Sequence, residues 1–324
     1  QKINRIIPLR NQRIFFVIKM AYTEITNEDA SEITKNANLP GVNKIEKMSG
    51  GWANSNYLLY LNDKSKIVLK IWNERTPKQV KELLVITTWL ADEGVPTPKP
   101  IIFNNGENFV LKNDLAWTLL PYIESKWLDY NGKSLFLLGK VQAKLHSTNP
   151  PPTIGTDFSM GFSLFEKLFK HAEEHKEWTD FLILLKRESE KINIEKLKQL
   201  PFGIIHGDLF PDNVLGTSNK IDAILDFEEV CIGPLAFDLV MTFVGFGWEN
   251  GEPVSSRWNS LLSGYESVRK LETDEKNALK QLHTFATLSI AAWRYWQFVI
   301  NMPNTKHTTR YVEMQLRLDK KLPF

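Results

Sequence analysis

The stretch from Gly203 to Asp238, GIIHGDLFPDNVLGTSNKIDAILDFEEVCIGPLAFD, constrains this chain more than any other. A short apolar run, Ile204-Ile205, delivers His206-Gly207-Asp208 to a loop, and Asn213 follows Asp208 by five residues. A second run, Ile221 to Leu225, delivers Asp226-Phe227-Glu228. One carboxylate for a substrate hydroxyl, with an amide and a second carboxylate for magnesium, is the set of parts that phosphoryl transfer from ATP requires. Mg²⁺ takes one or two protein oxygens beside phosphate and water, and Asn213 and Asp226 supply that number. Asp208 is the candidate that orients and deprotonates the hydroxyl. His206 belongs with this catalytic group as the residue that props the loop.

The run HGDLFPDN with a downstream LDFEE resembles the aminoglycoside-phosphotransferase-like kinases, small-molecule relatives of the protein kinases, over nearly all of the chain after Met20. The resemblance implies an α+β, bilobal, protein-kinase-like fold. A small β-rich ATP-binding lobe would span 20–122 and a larger, mainly helical catalytic and acceptor-binding lobe 123–324. It implies ATP and Mg²⁺ as cofactors and a small hydroxyl-bearing substrate. It also implies that Asp238 braces the catalytic loop, and that backbone near Leu120 to Tyr122 binds the adenine edge. Asn54-Ser55-Asn56-Tyr57-Leu58, Leu261-Leu262-Ser263-Gly264-Tyr265 with Arg269-Lys270-Leu271, and Ala291-Ala292-Trp293-Arg294 are similar to bacterial-type homoserine kinases. LDFEE at 225–229 looks more like the choline and ethanolamine kinases, so both acceptors stay open. Homoserine carries a carboxylate and an ammonium, for which Arg294 and Glu229 are the candidates. Choline needs aromatic and acidic walls and no cation.

Composition narrows the alternatives. A chain of 324 residues can bury one large core or two moderate ones. No window approaches about 18 uninterrupted apolar residues, which excludes a helical membrane span. A net charge of +2 gives no support for nucleic acid or an anionic membrane as the main partner. The single cysteine, Cys231, rules out an internal disulfide and fits a reducing, cytoplasmic compartment, with the thiol packed in an apolar run. A protein kinase is disfavoured by Asp-Phe-Glu where Asp-Phe-Gly would stand and by the lack of an Ala-Pro-Glu segment. A non-catalytic nucleotide-binding pseudokinase is disfavoured because Lys70, Asp208, Asn213 and Asp226 are all present.

The rest of the chain supplies the nucleotide side. Residues 1–19 hold five basic residues and no acidic one, which reads as a disordered arm, a targeting remnant or an upstream extension ahead of Met20. Thr23 or Thr26 caps the first helix. Strands are predicted at 44–48, 56–61, 67–72, 109–112 and 116–122. Gly50-Gly51, with Asn54, fits a phosphate-covering lid or a plain turn. Lys70 stands in an apolar strand, where it serves the ATP phosphates or faces solvent. A helix opening at Thr76-Pro77 and closing at Gly94 carries Glu82, the natural partner for Lys70 or an exposed glutamate. A second helix, 134–146, ends in His146, read as structural. Residues 162–200 read as amphipathic helix. His171 and His175 have a metal-compatible spacing and no third ligand nearby. The aromatics Trp293, Tyr295, Trp296 and Phe298 form core or wall an acceptor pocket.

Overall fold

The computed structural model describes residues 22–48 and 53–324. The arm at 1–19 and the glycines Gly50 and Gly51 lie outside the described residues. The first helix, α1 (Asn27–Asn36), starts at Thr26, whose hydroxyl accepts from Asp29 N while the Asp29 carboxylate accepts from Thr26 N. That reciprocal pair satisfies two amides that the first turn leaves open.

Five strands follow, β1 (Val42–Lys47), β2 (Ser55–Leu61), β3 (Lys66–Trp72), then after α2 (Pro77–Asp92) β4 (Val110–Lys112) and β5 (Leu115–Pro121). They form one antiparallel sheet in the order β1-β2-β3-β5-β4. Alternation decides its faces. Ile67, Leu69 and Ile71 of β3 join Tyr57, Leu59, Trp117 and Leu119 against Ala30 and Ile33 of α1. Val68, Lys70 and Trp72 therefore point to the other face, where Trp72 meets Val80 and Leu84 of α2. Thr76 caps α2 with Gln79, and Pro77 occupies its first position, as the sequence predicts.

The C-terminal part is mainly helical. It begins with α3 (Gly132–His146), α4 (Phe162–His175), α5 (Asp180–Ser189) and α6 (Ile194–Leu197). The amphipathic stretch 162–200 is thus three helices, broken where Lys176 turns left-handed (φ 56°) and where Thr179 and Asn193 cap new starts. Two short hairpin-like pairs come next, β6 (Phe202–Ile205) with β9 (Cys231–Pro234) and β7 (Val214–Gly216) with β8 (Ile221–Ile224). Then follow α7 (Leu235–Phe246), β10 (Trp248–Glu249), β11 (Glu252–Pro253), α8 (Ser255–Glu266), α9 (Thr273–Tyr295) and α10 (Arg310–Gln315). A π-helical turn, Trp296–Asn301, ends α9.

Two glycines let α3 and α8 touch backbone to backbone. A Cβ at Gly139 would lie 2.1 Å from Leu261 O, and one at Gly264 1.9 Å from Phe136 O. The apolar helix α7 runs through the main core, with eleven of its residues buried. Tyr295 and Phe298 are buried as well, so the aromatic cluster is partly core, while Trp293 and Trp296 are half-buried. Cys231 is buried, and burial pushes its thiol up to about 12. No helix among the described residues is long and apolar enough to cross a membrane.

Candidate active site

The β6–β9 and β7–β8 pairs mount the loop that carries His206, Asp208 and Asn213. Val214 pairs with Ile224, and Leu225 N donates to Asn213 O at 2.8 Å, which sets Asn213 beside Asp226. The Asn213 amide nitrogen donates to Asp208 O at 2.8 Å and to Asp208 Oδ2 at 3.3 Å. Its carbonyl oxygen is left to serve as a ligand atom. His206 Nδ1 accepts from Asp208 N at 3.2 Å and Nε2 donates to Leu225 O at 2.9 Å, a pattern that requires the neutral ring. Burial lowers the His206 pKa, and Phe227 packs on the ring with centroids 4.6 Å apart. Both nitrogens are committed, so His206 props the loop.

Gly207 takes φ +81°, and a Cβ there would lie 2.8 Å from Glu229 O. A side chain is excluded both by backbone conformation and by space. Asp238 at the first turn of α7 braces this turn, accepting from Gly207 N at 2.8 Å and His206 N at 3.1 Å. Behind it His146 Nε2 meets Asp238 Oδ2 at 3.0 Å and Nδ1 meets Tyr265 Oη at 2.7 Å, with Arg269 donating to Tyr265 at 3.2 Å. Burial opposes the Asp238 charge, but the hydrogen bonds from His146 and Gln142 outweigh it and hold the pKa down at about 2. His146 is structural, as expected.

Lys70 crosses from the sheet to this loop. Its Nζ lies 3.0 Å from Asp226 Oδ1, 2.5 Å from Glu228 Oε1 and 4.1 Å from the Trp72 ring centroid. Of the two readings of Glu82, partner of Lys70 or exposed glutamate, the structure takes the second. Helix α2 turns Val80 and Leu84 to the interior, and residue 82, about 200° round from each, is exposed to solvent. Glu228 takes its place. That carboxylate also accepts from Asn54 Nδ2 at 2.6 Å and from Arg75 Nε at 3.3 Å. Asp226 itself is left-handed (φ 62°, ψ 61°), a conformation that aspartate adopts more readily than most non-glycine residues.

Electrostatics separate the carboxylates. Burial, then repulsion from Asp212, Asp226 and Glu229, raises the Asp208 pKa well above the ordinary value. Burial also works to raise Asp226, but the Lys70 charge and hydrogen bonds hold it low. Glu229 is raised by burial despite Ser159 and Arg75, which both bond it. The Asp226 side chain keeps 43% of its surface open, and the buried Asn213 lies beside it through the Leu225 N to Asn213 O bond. That donor set fits a magnesium ion.

Arg294 does not open toward this cleft as a receptor. It is buried on α9, donating to Glu313 Oε2 at 2.8 Å and Arg310 O at 3.0 Å, and so ties α10 to α9. Its charge is answered within the protein, which removes the reason for giving it a substrate carboxylate. Leu120 and Tyr122 are half-buried near the end of β5, whose β4 neighbour pairs only as far as Trp117. His171 and His175 stack with centroids 4.1 Å apart, and no metal-holding cluster of three or more His, Cys, Asp or Glu occurs among the described residues.

The phosphotransferase enzyme family (APH) matches this chain over residues 44–271. The chain belongs to that family. A homoserine kinase of Agrobacterium fabrum (strain C58 / ATCC 33970) is 26% identical over 286 residues, covering 86% of this chain and 88% of that protein. The choline/ethanolamine kinase family protein from Mesorhizobium loti superposes with a TM-score of 0.66 at 16% identity, over 91% of this chain and 96% of that one. The amicoumacin kinase hAmiN, in complex with AMP-PNP, Ca²⁺ and Ami, gives 0.69 at 14% identity, over 90% and 93%. These structures share the kinase-like fold. As an APH-family member, the chain is a small-molecule kinase with a hydroxyl acceptor. Within this family site, sequence reasoning passed over Glu228 as the lysine's partner and Arg75 altogether. The only signal was the second acid of Asp-Phe-Glu; nothing marked Arg75, which stands before a helix cap.

Proposed function

We propose that this kinase transfers the γ-phosphoryl group of ATP to the hydroxyl of L-homoserine, with Mg²⁺ as the metal. The observation that carries the reading is the convergence of Lys70, Asp208, Asn213 and Asp226, with Lys70 and Asp226 at 3.0 Å across 156 residues of chain. Asp208 takes the hydroxyl proton and orients the oxygen for in-line attack. Lys70 pairs with phosphate oxygens, and by the family resemblance backbone near Leu120 to Tyr122 takes the adenine edge. Asn213 and Asp226 would hold magnesium, which supplies neutralisation of phosphate charge.

The acceptor reading rests on charge. Burial and the neighbouring carboxylates Asp212, Asp226 and Glu229 raise the Asp208 pKa, so this end of the cleft favours an ammonium group. Glu229 is its candidate partner. For the carboxylate, Lys167 of α4 replaces Arg294. Its Nζ lies 3.7 Å from the Trp296 ring centroid, and it interacts with Glu74, which in turn feels Glu228 and Glu229. Burial lowers the Lys167 pKa, and the Glu74 carboxylate works in the other direction. A face of Trp296 already covered by lysine is a poor choline wall, which favours the amino acid over the amino-alcohol alternative. The names of the curated relatives support the same acceptor. A coupled ADP-release assay over L-homoserine, ethanolamine and choline tests it. The expected result is turnover with homoserine, a homoserine KM raised by roughly tenfold or more in Lys167→Ala, and an unchanged KM for ATP. Preferred turnover of ethanolamine or choline overturns the homoserine assignment.

A further inference from the structure

Arg75 sits in the connection between β3 and α2, one residue before the Thr76 cap. It is remote from Asp208 in sequence, yet it reaches across to the loop that carries the metal carboxylate. Its Nη2 donates to Glu228 O at 2.8 Å and to Glu229 Oε1 at 3.2 Å, and its Nε donates to Glu228 Oε2 at 3.3 Å. The two oxygens of Glu228 are divided between donors from the same lobe. Oε1 takes Lys70 and Asn54, and Oε2 takes Arg75. Glu229 is held on its other oxygen by Ser159. All four charged side chains are largely covered, with Lys70 at 11%, Glu228 at 15%, Glu229 at 17% and Arg75 at 22% exposed.

In protein kinases the lysine is aligned by a glutamate on the helix of its own lobe. Here the aligning carboxylate, Glu228, belongs to the opposite lobe and lies two residues from Asp226. An ion pair of that kind orients Lys70 only when the lobes are held together, and it also presses one carboxylate into a loop already rich in negative charge. Arg75 answers both needs. Its planar fork spans a side chain and a backbone carbonyl at once, which a lysine's single ammonium cannot reproduce.

We infer that Arg75 is a positioning residue that clamps the 226–229 loop to the β3–α2 connection, so that Glu228 aligns Lys70 on the nucleotide side. The inference rests on the functional reading above, in which Lys70 serves the phosphates. It predicts that nucleotide binding and turnover, rather than stability alone, depend on Arg75.

The test uses the full chain with Arg75→Ala, Arg75→Lys, Glu228→Gln, the double variant Arg75→Ala/Glu228→Gln, and Lys70→Ala as the reference. Calorimetry reads the affinity for Mg·AMP-PNP, and steady-state assays with L-homoserine read kcat and KM for ATP. Arg75→Ala should weaken Mg·AMP-PNP roughly tenfold, the worth of a charge-assisted hydrogen bond. It should lower kcat by about 100-fold, the cost of a small misplacement at a reacting centre. Arg75→Lys should recover only part of each. The double variant should lose less than the product of the two single losses, because part of each acts through the Glu228 carboxylate. A merely structural arginine would lower the melting temperature and leave affinity in place. Should Arg75→Ala not fold, Arg75→Lys and Glu228→Gln carry the same comparison. Affinity and kcat within twofold of the parent, or losses that multiply in the double variant, overturn the clamp. If Lys70→Ala loses nucleotide and Arg75→Ala does not, the clamp alone fails. If Lys70→Ala also binds as the parent does, the reading of the site fails with it.

Discussion

The catalytic loop shows how one residue's neighbours decide its chemistry. Asp208 and Asp226 are both aspartates on loops after short strands, yet they are pushed in opposite directions. Asp226 has Lys70 beside it, and its charge is held. Asp208 has burial and three further carboxylates, with only the Asn213 amide in its favour, and its pKa is raised. A carboxylate in that position becomes an effective base once cations share the cleft with it. Asp208→Asn keeps the shape and removes the proton acceptor. We expect kcat to fall by about 10²- to 10⁴-fold, with Mg·AMP-PNP affinity and melting temperature close to the parent's. A kcat within threefold of the parent would rule out Asp208 as the base.

At the scale of elements, the site is carried on a buried scaffold rather than on the loop alone. The chain of bonds from Arg269 through Tyr265 and His146 to Asp238 connects α8 and α3 to the catalytic turn. It works only if α3 and α8 lie close enough for Tyr265 to reach His146. The contact at Gly139 and Gly264 sets that distance, since the facing atoms are main chain and have nowhere to move. Gly264→Ala should therefore cost about 3 kcal/mol, the upper part of the usual overpacking range. Thermal unfolding of the purified variant checks it. A melting temperature within 2 °C of the parent, about what 1 kcal/mol is worth in a chain this long, would show that the helices can part without penalty. The Ser263-Gly264-Tyr265 run is thus explained by packing, and its tyrosine by the brace on Asp238.

For the whole molecule, pH acts through groups that burial has displaced. His283 on α9 is buried beside Trp248, and burial and then the Arg317 charge lower its pKa to about 3. The ordinary value is 6.5, so between pH 6.5 and 3 the unfolded chain binds a proton there that the folded chain refuses. Its contribution to stability is complete above pH 6.5 and is lost as pH falls below it, by about 1.4 kcal/mol per pH unit. Asp208 and Glu229, both raised, act with the opposite sign over their own range. Comparing urea unfolding of the parent with His283→Gln from pH 7.5 to 4.5 isolates the histidine. The variant should show a shallower fall below pH 6.5, and parallel curves would mean that His283 titrates as it does in water.

Much of this was legible from residues with strong local preferences. Thr76-Pro77 and Gly94 bound a helix because cap chemistry and proline geometry are properties of a few adjacent residues. The strand at 67–72 was visible because alternation with period two needs no knowledge of its partner. His206, Asp208, Asn213 and Asp226 could be recognised because their spacing is set by two tight strand–loop units. Residues that meet across lobes could not be found that way. Glu82 was the nearest acid on the expected helix, but helical phase turned it to solvent and left Lys70 to Glu228. Arg294 was a cation on a plausible helix, and a glutamate on α10 had already answered it. By itself the sequence determined which side chains could carry phosphoryl transfer, because that depends on residue type and local spacing. Only the tertiary structure decided which charge pairs with which, because a buried ion takes whichever counter-charge the packing of the lobes places within about 3–4 Å.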